Sequence, residues 1–293
     1  MGKFKFIVNP AAARGKSAKL AKKLDHMCRE KQIDFDMEFT SSRGEATELA
    51  RRAVSQFEYI VAVGGDGTVN EVVNGIIGSS AKLGIIPIGS GNDFVKALHI
   101  PLKLDIALDT LIACNTRRVD VGKAGDIYFH NGLGIGFDAW VVQESFKVKR
   151  LRGNAIYLYS VFKTIYGYQA PYMQFSYEND RRQEKIFMIT VGNGTSLGGG
   201  FKLTPFAVLD DGLLDLTIIK DLTKWEIYQN LASVYFGKHT RMPQVTIGRT
   251  KSLKIDCDQG FAAHVDGELL SLNIKTLEVT IVPKALEIVV PEI

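Results

Sequence analysis

The sequence predicts two domains: an α/β domain built on a parallel sheet, then a mainly antiparallel β-sandwich. Three observations predict this. Strand and helix patterns alternate through the first ~120 residues. A glycine-rich turn, Gly64-Gly65-Asp66-Gly67-Thr68, follows the apolar run Tyr59-Ile60-Val61-Ala62-Val63 directly. From about residue 120 onward the texture changes to short β-like runs separated by turn signals.

In the first half, Phe4 to Val8 reads as a short apolar strand. Leu20, Ala21, Leu24, Met27 and Cys28 follow at helical spacing. Ile33, Phe35, Met37 and Phe39 alternate with polar residues, which predicts a strand with one wet face. Leu49, Ala50, Ala53 and Val54 make the next helical face, and 59–63 the next strand. Val69, Val72, Val73 and Ile76 form the helix after the glycine turn, and Leu83 to Ile86 another strand. Ligands of such sheets bind beyond the carboxyl ends of the strands. Three loops meet that condition: Asn9 to Lys16, Gly64 to Asn70, and Pro87 to Asp93.

In the second half the turn signals are Lys123-Ala124-Gly125-Asp126, Glu178-Asn179-Asp180, Asp210-Asp211-Gly212 and Asp266-Gly267-Glu268. Two helices are expected, at about 153–167 and 223–236. The domains are placed at 1–122 and 123–293, with the extreme C-terminus packing back on the first.

The chain has 293 residues, 46% of them hydrophobic, so each half can bury a core. A net charge of +4 permits weak attraction to anionic surfaces but does not resemble a nucleic-acid binder. Cys28, Cys114 and Cys257 are too far apart for a zinc or redox motif and read as buried, reduced thiols. There is no signal-peptide pattern and no apolar stretch of the ~20 residues that span a bilayer. The expectation is a cytoplasmic protein that visits the membrane if its substrate is a lipid.

The turn at 64–68 suits a nucleoside triphosphate. Its glycines let backbone N–H groups approach phosphate oxygens. Asp66 can reach a magnesium ion, and Thr68 starts a helix whose positive end favours phosphate. A ligand-free strand-to-helix turn uses the same residues. Asn9-Pro10-Ala11-Ala12-Ala13-Arg14-Gly15-Lys16 is small and basic after the first strand, and reads equally as a helix-start loop. In Pro87-Ile88-Gly89-Ser90-Gly91-Asn92-Asp93-Phe94, Ser90 can donate to phosphate while Asn92 and Asp93 cap the next helix. Leu209-Asp210-Asp211-Gly212-Leu213 suits a hard cation, or is a solvated β-turn. His264-Val265-Asp266-Gly267-Glu268 offers Glu268 as a general base, or is a hairpin. Phe146 to Arg152 mixes bases with apolar residues ahead of Tyr157, Tyr159, Phe162, Tyr166 and Tyr168. That pattern fits anionic lipid headgroups or a packed helix.

Together these turns resemble the diacylglycerol kinase catalytic-domain family, which includes soluble bacterial lipid kinases and sphingosine kinases. The resemblance runs through Val63 to Val72, the Asn-Pro loop, residues 87–94, Leu-Asp-Asp-Gly at 209–212 and Val-Asp-Gly-Glu at 265–268. It implies a nucleotide-binding first domain, a β-sandwich lipid domain and a cleft between them, with ATP and Mg2+. By motif position, ATP would face Asn9, Pro10, Ala11, Ala12, Ala13, Thr40, Gly64, Gly65, Asp66, Gly67, Thr68, Val69, Asn70 and Ser90. Glu268 would accept the proton of the lipid hydroxyl, and Asp66 would serve the catalytic magnesium. Asp211 with the carbonyls of Val208 and Leu213 would match a structural magnesium site. Ser90 replaces the family's threonine and keeps the hydroxyl. Ala12 and Ala13 stand where small polar residues and glycine are common.

The activity implied is transfer of the γ-phosphoryl group of ATP to diacylglycerol, giving phosphatidic acid. A sphingoid base or phosphatidylglycerol is an alternative acceptor, and NAD kinase a further reading of the Gly-Gly-Asp-Gly turn. An NAD(P)-dependent oxidoreductase would need a Gly-x-Gly-x-x-Gly turn after the first strand, which residues 9–16 do not supply. A nucleotide-sensing scaffold is the non-enzymatic reading. The implied partners are a lipid at the inner face of the membrane and anionic headgroups, with no nucleic acid. The bacterial relatives suggest a homodimer.

Overall fold

The structure is a computed structural model that describes residues 2–12, 16–148, 154–178 and 180–292. The chain divides into two compact units, Met1–Val119 with Lys284–Ile293, and Asp120–Pro283.

In the first unit the elements run β1 (Phe4–Val8), α1 (Lys16–Glu30), β2 (Phe35–Phe39), α2 (Glu45–Ala53), β3 (Tyr59–Gly64), α3 (Asp66–Ile76), β4 (Lys82–Pro87), α4 (Asp93–Ala97) and α5 (Leu104–Ala113). β1 pairs parallel with β2 and β3, and β3 with β4. β1 and β3 are buried along their whole length, as their unbroken apolar runs require of central parallel strands. β2 lies at the edge, with Phe39 48% exposed. It starts at Phe35 rather than Ile33, because Gln32 has a positive φ of 53° and the Ile33 amide still donates to the Cys28 carbonyl. Phe4, Phe6, Val61 and Val63 pack with Leu24 of α1 and Leu108 of α5. The four parallel strands therefore end at one edge of the sheet, at Val8, Phe39, Gly64 and Pro87.

The second unit holds the rest of β5 (Thr116–Ala124), then β6 (Ile127–Phe129), β7 (Gly132–Gly136), α6 (Phe137–Ser145), α7 (Asn154–Gly167), β8 (Tyr172–Tyr177), β9 (Asp180–Gly192), β10 (Leu214–Lys220), α8 (Lys224–Tyr235), β11 (Val245–Thr250), β12 (Ser252–Val265) and β13 (Glu268–Val289), the last returning to the first unit from Lys284. In that returning part Ile288 pairs parallel with Leu83 of β4. The ladder order is β11-β10-β9-β7-β12-β13, antiparallel throughout, with β8 joining β9 and β12. Phe129, Ile135, Phe175, Ile189, Leu216 and Ile255 lie in one core cluster. A second joins Val141 of α6 and Val161 of α7 to Phe187, Leu197 and Phe201.

Two helices were expected in this unit, and the described residues hold a third, α6. Phe137, Asp138, Ala139, Val141 and Val142 are buried, but the buried set includes the acidic Asp138 and the exposed face starts with the apolar Trp140, so the amphipathic period that betrays a helix in sequence is blurred. α8 starts with a capping box between Thr223 and Glu226. Cys28 and Cys257 are buried as expected; Cys114, in a left-handed conformation after α5, is only half-buried. Among the described residues no helix is long and apolar enough to cross a membrane.

Candidate functional site

The strand ends of the first unit bring three loops together. The Asn9 amide donates to the Val63 carbonyl at 3.1 Å, and Asn9 Nδ2 to Thr68 Oγ1 at 3.1 Å. Asn9 Oδ1 accepts from the Ala11 amide, the Ala12 amide donates to the Asn9 carbonyl, and Ser17 Oγ donates to the Pro10 carbonyl at 2.6 Å. Ala13, Arg14 and Gly15 lie outside the described residues, as does the Lys16 side chain. Thr40, buried at the end of β2, is tied by its amide to the Val8 carbonyl.

The glycine turns of β3 and β4 touch backbone to backbone. A Cβ on Gly65 would stand 3.1 Å from Gly89 Cα, and one on Gly89 only 2.7 Å from Gly65 Cα. No side chain fits between them. A Cβ on Gly64 would strike Thr68 Oγ1 at 2.4 Å. Gly65 stands at the N-cap of α3 and brings no side chain there, so the positive end of that helix is open to approach by a ligand. Thr68, Val69 and Asn70 are buried, and Ser90 is exposed on the second turn.

Asp66 does more than the sequence foretells. Its Oδ2 accepts from the Asn92 amide at 2.9 Å and its Oδ1 from the Asp93 amide at 3.1 Å. The carboxylate therefore bolts the two glycine turns together. Asn92 does not cap α4 by its side chain. It sits at φ 51°, and its Nδ2 donates back to the Gly89 carbonyl at 2.8 Å. Glu71, which sequence reasoning passed over, accepts from the Gly44 and Ala46 amides and so closes the start of α2, whose own N-cap, Gly44, has no side chain. Glu71 is three residues beyond Thr68, but its partners lie more than twenty residues away, so no local pattern points to this role.

In the second unit, Asp266-Gly267 is a two-residue hairpin loop between β12 and β13, with φ values of 48° and 84°. Positive φ at both positions marks the type I′ class and explains the glycine. Glu268 is the first residue of β13, opposite Val265, and is half-buried. Asp266 is buried beneath the turn. It accepts from the amides of His130, Asn131 and Gly132 at 3.0, 3.1 and 2.8 Å, and faces His130 Nδ1 at 2.9 Å. Burial alone would raise its carboxyl, but His130 and these N–H donors outweigh that and hold it below the usual carboxylate range.

A second buried pair joins Asp138 Oδ2 to His264 Nε2 at 2.9 Å, and Tyr157 donates to Asp138 Oδ1 at 2.7 Å. Burial again raises the Asp138 carboxyl, and His264 and Tyr157 more than offset it. Asp138 and Tyr157 also line an apolar cavity of about 60 Å3 with Phe201, Leu203, Leu231 and His239. Sequence reasoning missed His130, Asp138 and the role of Tyr157, which come from three separate elements.

At the acidic turn, Asp211 Oδ1 accepts from the Leu213 amide at 3.1 Å while Oδ2 is paired with Arg249. Val208 is exposed. Asp120, fully buried, accepts from the Gly212 amide at 2.7 Å. Among the described residues no three His, Cys, Asp or Glu side chains group as a metal site. Of the basic and aromatic stretch, residues 149–153 lie outside the described residues. Tyr157 and Tyr168 pack into the core, while Tyr159, Phe162 and Tyr166 are exposed, so both readings of that stretch hold in part.

Two family models match. Residues 3–124 match the diacylglycerol kinase catalytic domain, and residues 132–290 the YegS C-terminal NAD kinase beta sandwich-like domain. A diacylglycerol kinase of Staphylococcus epidermidis is 35% identical over 246 residues, covering 82% of this chain and 78% of that one. One of Staphylococcus haemolyticus is 35% identical over 233 residues, covering 78% and 71%. The crystal structure of a "putative diacylglycerol kinase" of Bacillus anthracis superposes with a TM-score of 0.81 at 26% identity, covering 98% of this chain and 97% of that one.

Proposed function

The chain belongs to the diacylglycerol kinase family of lipid kinases, which phosphorylate an alcohol, and from that premise we propose that it transfers the γ-phosphoryl group of ATP to the hydroxyl of diacylglycerol, giving phosphatidic acid. The observation that carries this reading is the backbone contact of Gly65 with Gly89 beside the uncapped start of α3. Bare backbone and the positive end of a helix suit the phosphates of a nucleotide. Asn9, Pro10, Ala11, Ala12 and Thr40 line the same strand ends, and Ala13, Gly64 to Asn70 and Ser90 complete the proposed ATP-facing set.

In this reading Glu268 accepts the proton of the lipid hydroxyl as its oxygen attacks, a role that contributes roughly 10²–10⁴ in rate. Magnesium, when bound, offsets the charge of the transferring phosphoryl group. Asp66 fits that ion by chemistry: it is a half-buried carboxylate at the strand ends, offering the oxygen donors that magnesium takes. Asp211 with the Val208 and Leu213 carbonyls offers a second, structural oxygen set. Arg249 is already paired with the Asp211 carboxylate, so a magnesium ion there competes with its charge.

Leu158, Tyr159, Phe162 and Tyr166 stand exposed on α7, which supports docking at a membrane surface from the cytoplasm; Lys163 between them is paired with Glu144. Self-association as a homodimer, which the resemblance implies, is read by analytical ultracentrifugation.

The test is labelled phosphate transfer from ATP to a panel of lipids in mixed micelles, with Glu268→Gln beside the wild type. Labelled phosphatidic acid, lost by orders of magnitude in the variant at nearly unchanged ATP affinity, is the expected result. Labelling of a sphingoid base or phosphatidylglycerol changes the acceptor and keeps the mechanism. Labelling of NAD alone overturns the reading.

A further inference from the structure

Two buried carboxylate–histidine pairs flank the Asp266-Gly267 turn, and they do different work. Asp266 and His130 anchor the turn to residues 130–132. His264 and Asp138 reach its exit. The Gly267 amide lies 3.2 Å from His264 Nδ1. An N–H can only donate, so Nδ1 carries the lone pair. The ring proton is then on Nε2, which donates to Asp138 Oδ2 at 2.9 Å. Tyr157 completes the set by donating to the other Asp138 oxygen at 2.7 Å. The imidazole is thus held in one tautomer by α6 and α7 and presents an acceptor to the residue before Glu268.

The niche is built for this pair. A Cβ on Gly134 of β7 would stand 2.2 Å from His264 Nε2 and 2.4 Å from Asp138 Oδ2, so that strand accommodates the pair only because it carries no side chain there. Both N–H groups of the loop are accepted by protein, Asp266 by the Gly132 carbonyl at 2.8 Å and Gly267 by His264. The backbone that delivers Glu268 therefore has fixed partners on both sides. Burying a carboxylate costs desolvation, and apolar side chains of the same volume would fill the space more cheaply. What apolar side chains could not supply is an acceptor for the Gly267 amide.

We infer that His264, oriented by Asp138, is a positioning residue for the Glu268 carboxylate, acting through the Gly267 amide; this rests on the reading of Glu268 as the base. A displacement of about 1 Å at a reacting group can cost on the order of 10² in rate.

Two conservative variants separate this role from a structural one. Asn at 264 can place its Oδ1 near the position of Nδ1 and keep an acceptor for Gly267. Gln can place its amide near Nε2 and keep the donor to Asp138 while losing that acceptor. Both are assayed by labelled phosphate transfer to diacylglycerol, with kcat and the KM for ATP measured separately and folding followed by circular dichroism. The expected result is a fall in kcat of about 10²-fold in His264→Gln and a clearly smaller fall in His264→Asn, with the KM for ATP unchanged in both. Equal activity of both variants and wild type overturns the inference. A greater loss in Asn than in Gln, or losses that only follow melting temperature, assigns the pair to stability and overturns it too. Glu268→Gln is assayed alongside: wild-type turnover there sinks the reading of the base, and this inference with it, independently of the His264 variants.

Discussion

Removing the Asp66 carboxylate tests whether that side chain is chiefly a metal ligand or also a structural clamp. In Asp66→Ala the Asn92 and Asp93 amides lose their acceptors at 2.9 and 3.1 Å. Hydrogen bonds to a charged group contribute about 1.5–3 kcal/mol when sheltered, and this site is only partly so, which leaves about 1–2 kcal/mol each and about 2–4 kcal/mol together. At roughly 3 °C per kcal/mol, the ligand-free protein melts about 6–12 °C lower. Asp66→Asn keeps one acceptor and falls between. The assay is thermal unfolding by circular dichroism in chelator, without nucleotide, so that no metal contributes. A residue whose only task is to hold a cation gives the opposite sign, because deleting it relieves unbalanced charge. A melting temperature equal to or above wild type in chelator refutes the clamp. Turnover is lost in either case, so activity alone does not decide.

Gly89→Ala brings a methyl group 2.7 Å from Gly65 Cα, where only backbone can yield. A cost of about 1–3 kcal/mol and a raised KM for ATP are expected; an unchanged KM at unchanged stability contradicts the contact. Burial pushes the Asp215 carboxyl up to about 6, against about 3.9 in an unfolded chain. A raised folded value means the folded state binds the proton more tightly, so this contribution is fully present below about pH 4 and is lost as pH rises through about 6. Asp215→Asn should therefore gain on the wild type between pH 4 and 7, by at most about 3 kcal/mol, less the share that Arg249 at 3.4 Å already offsets. Denaturant titrations at pH 4, 5.5 and 7 read this; parallel curves for the two proteins contradict it.

The parts legible in the sequence are those written in short windows. The apolar runs of β1 and β3, the alternation of β2 and the helical spacing after Gly67 each depend on neighbours within one turn or pleat. The Asp-Gly signal likewise stated its own hairpin. The clamp was not legible, because Asp66 meets amides 26 and 27 residues away. Nor was the Glu71 cap of α2, or Asp138, which is 126 residues from His264. α6 escaped because a buried acid, Asp138, and an exposed apolar ring, Trp140, blur its period. Asn92 was misread for a related reason: Asx residues favour N-caps, but Asp66 already takes the amides at that end, and the Asn92 side chain turns back to Gly89.

The two glycine turns that drew attention first share a physical logic. Each carries an acid, Asp66 or Asp266, and each acid accepts backbone N–H groups of a distant segment, two for Asp66 and three for Asp266. A carboxylate in a tight turn is well suited to this: it accepts several N–H groups at once, and each bond is charge-assisted. Glycine then has two separate uses, close backbone approach at Gly65 and positive φ at Gly267. The groups proposed to meet the substrates are neighbours of these acids, the start of α3 after Gly65 and the Glu268 side chain after Gly267. In both turns the acid, half-buried at Asp66 and buried at Asp266, sets geometry. Even if Asp66 also holds a cation, its substitution must be read as a change of loop structure as well as a change of charge.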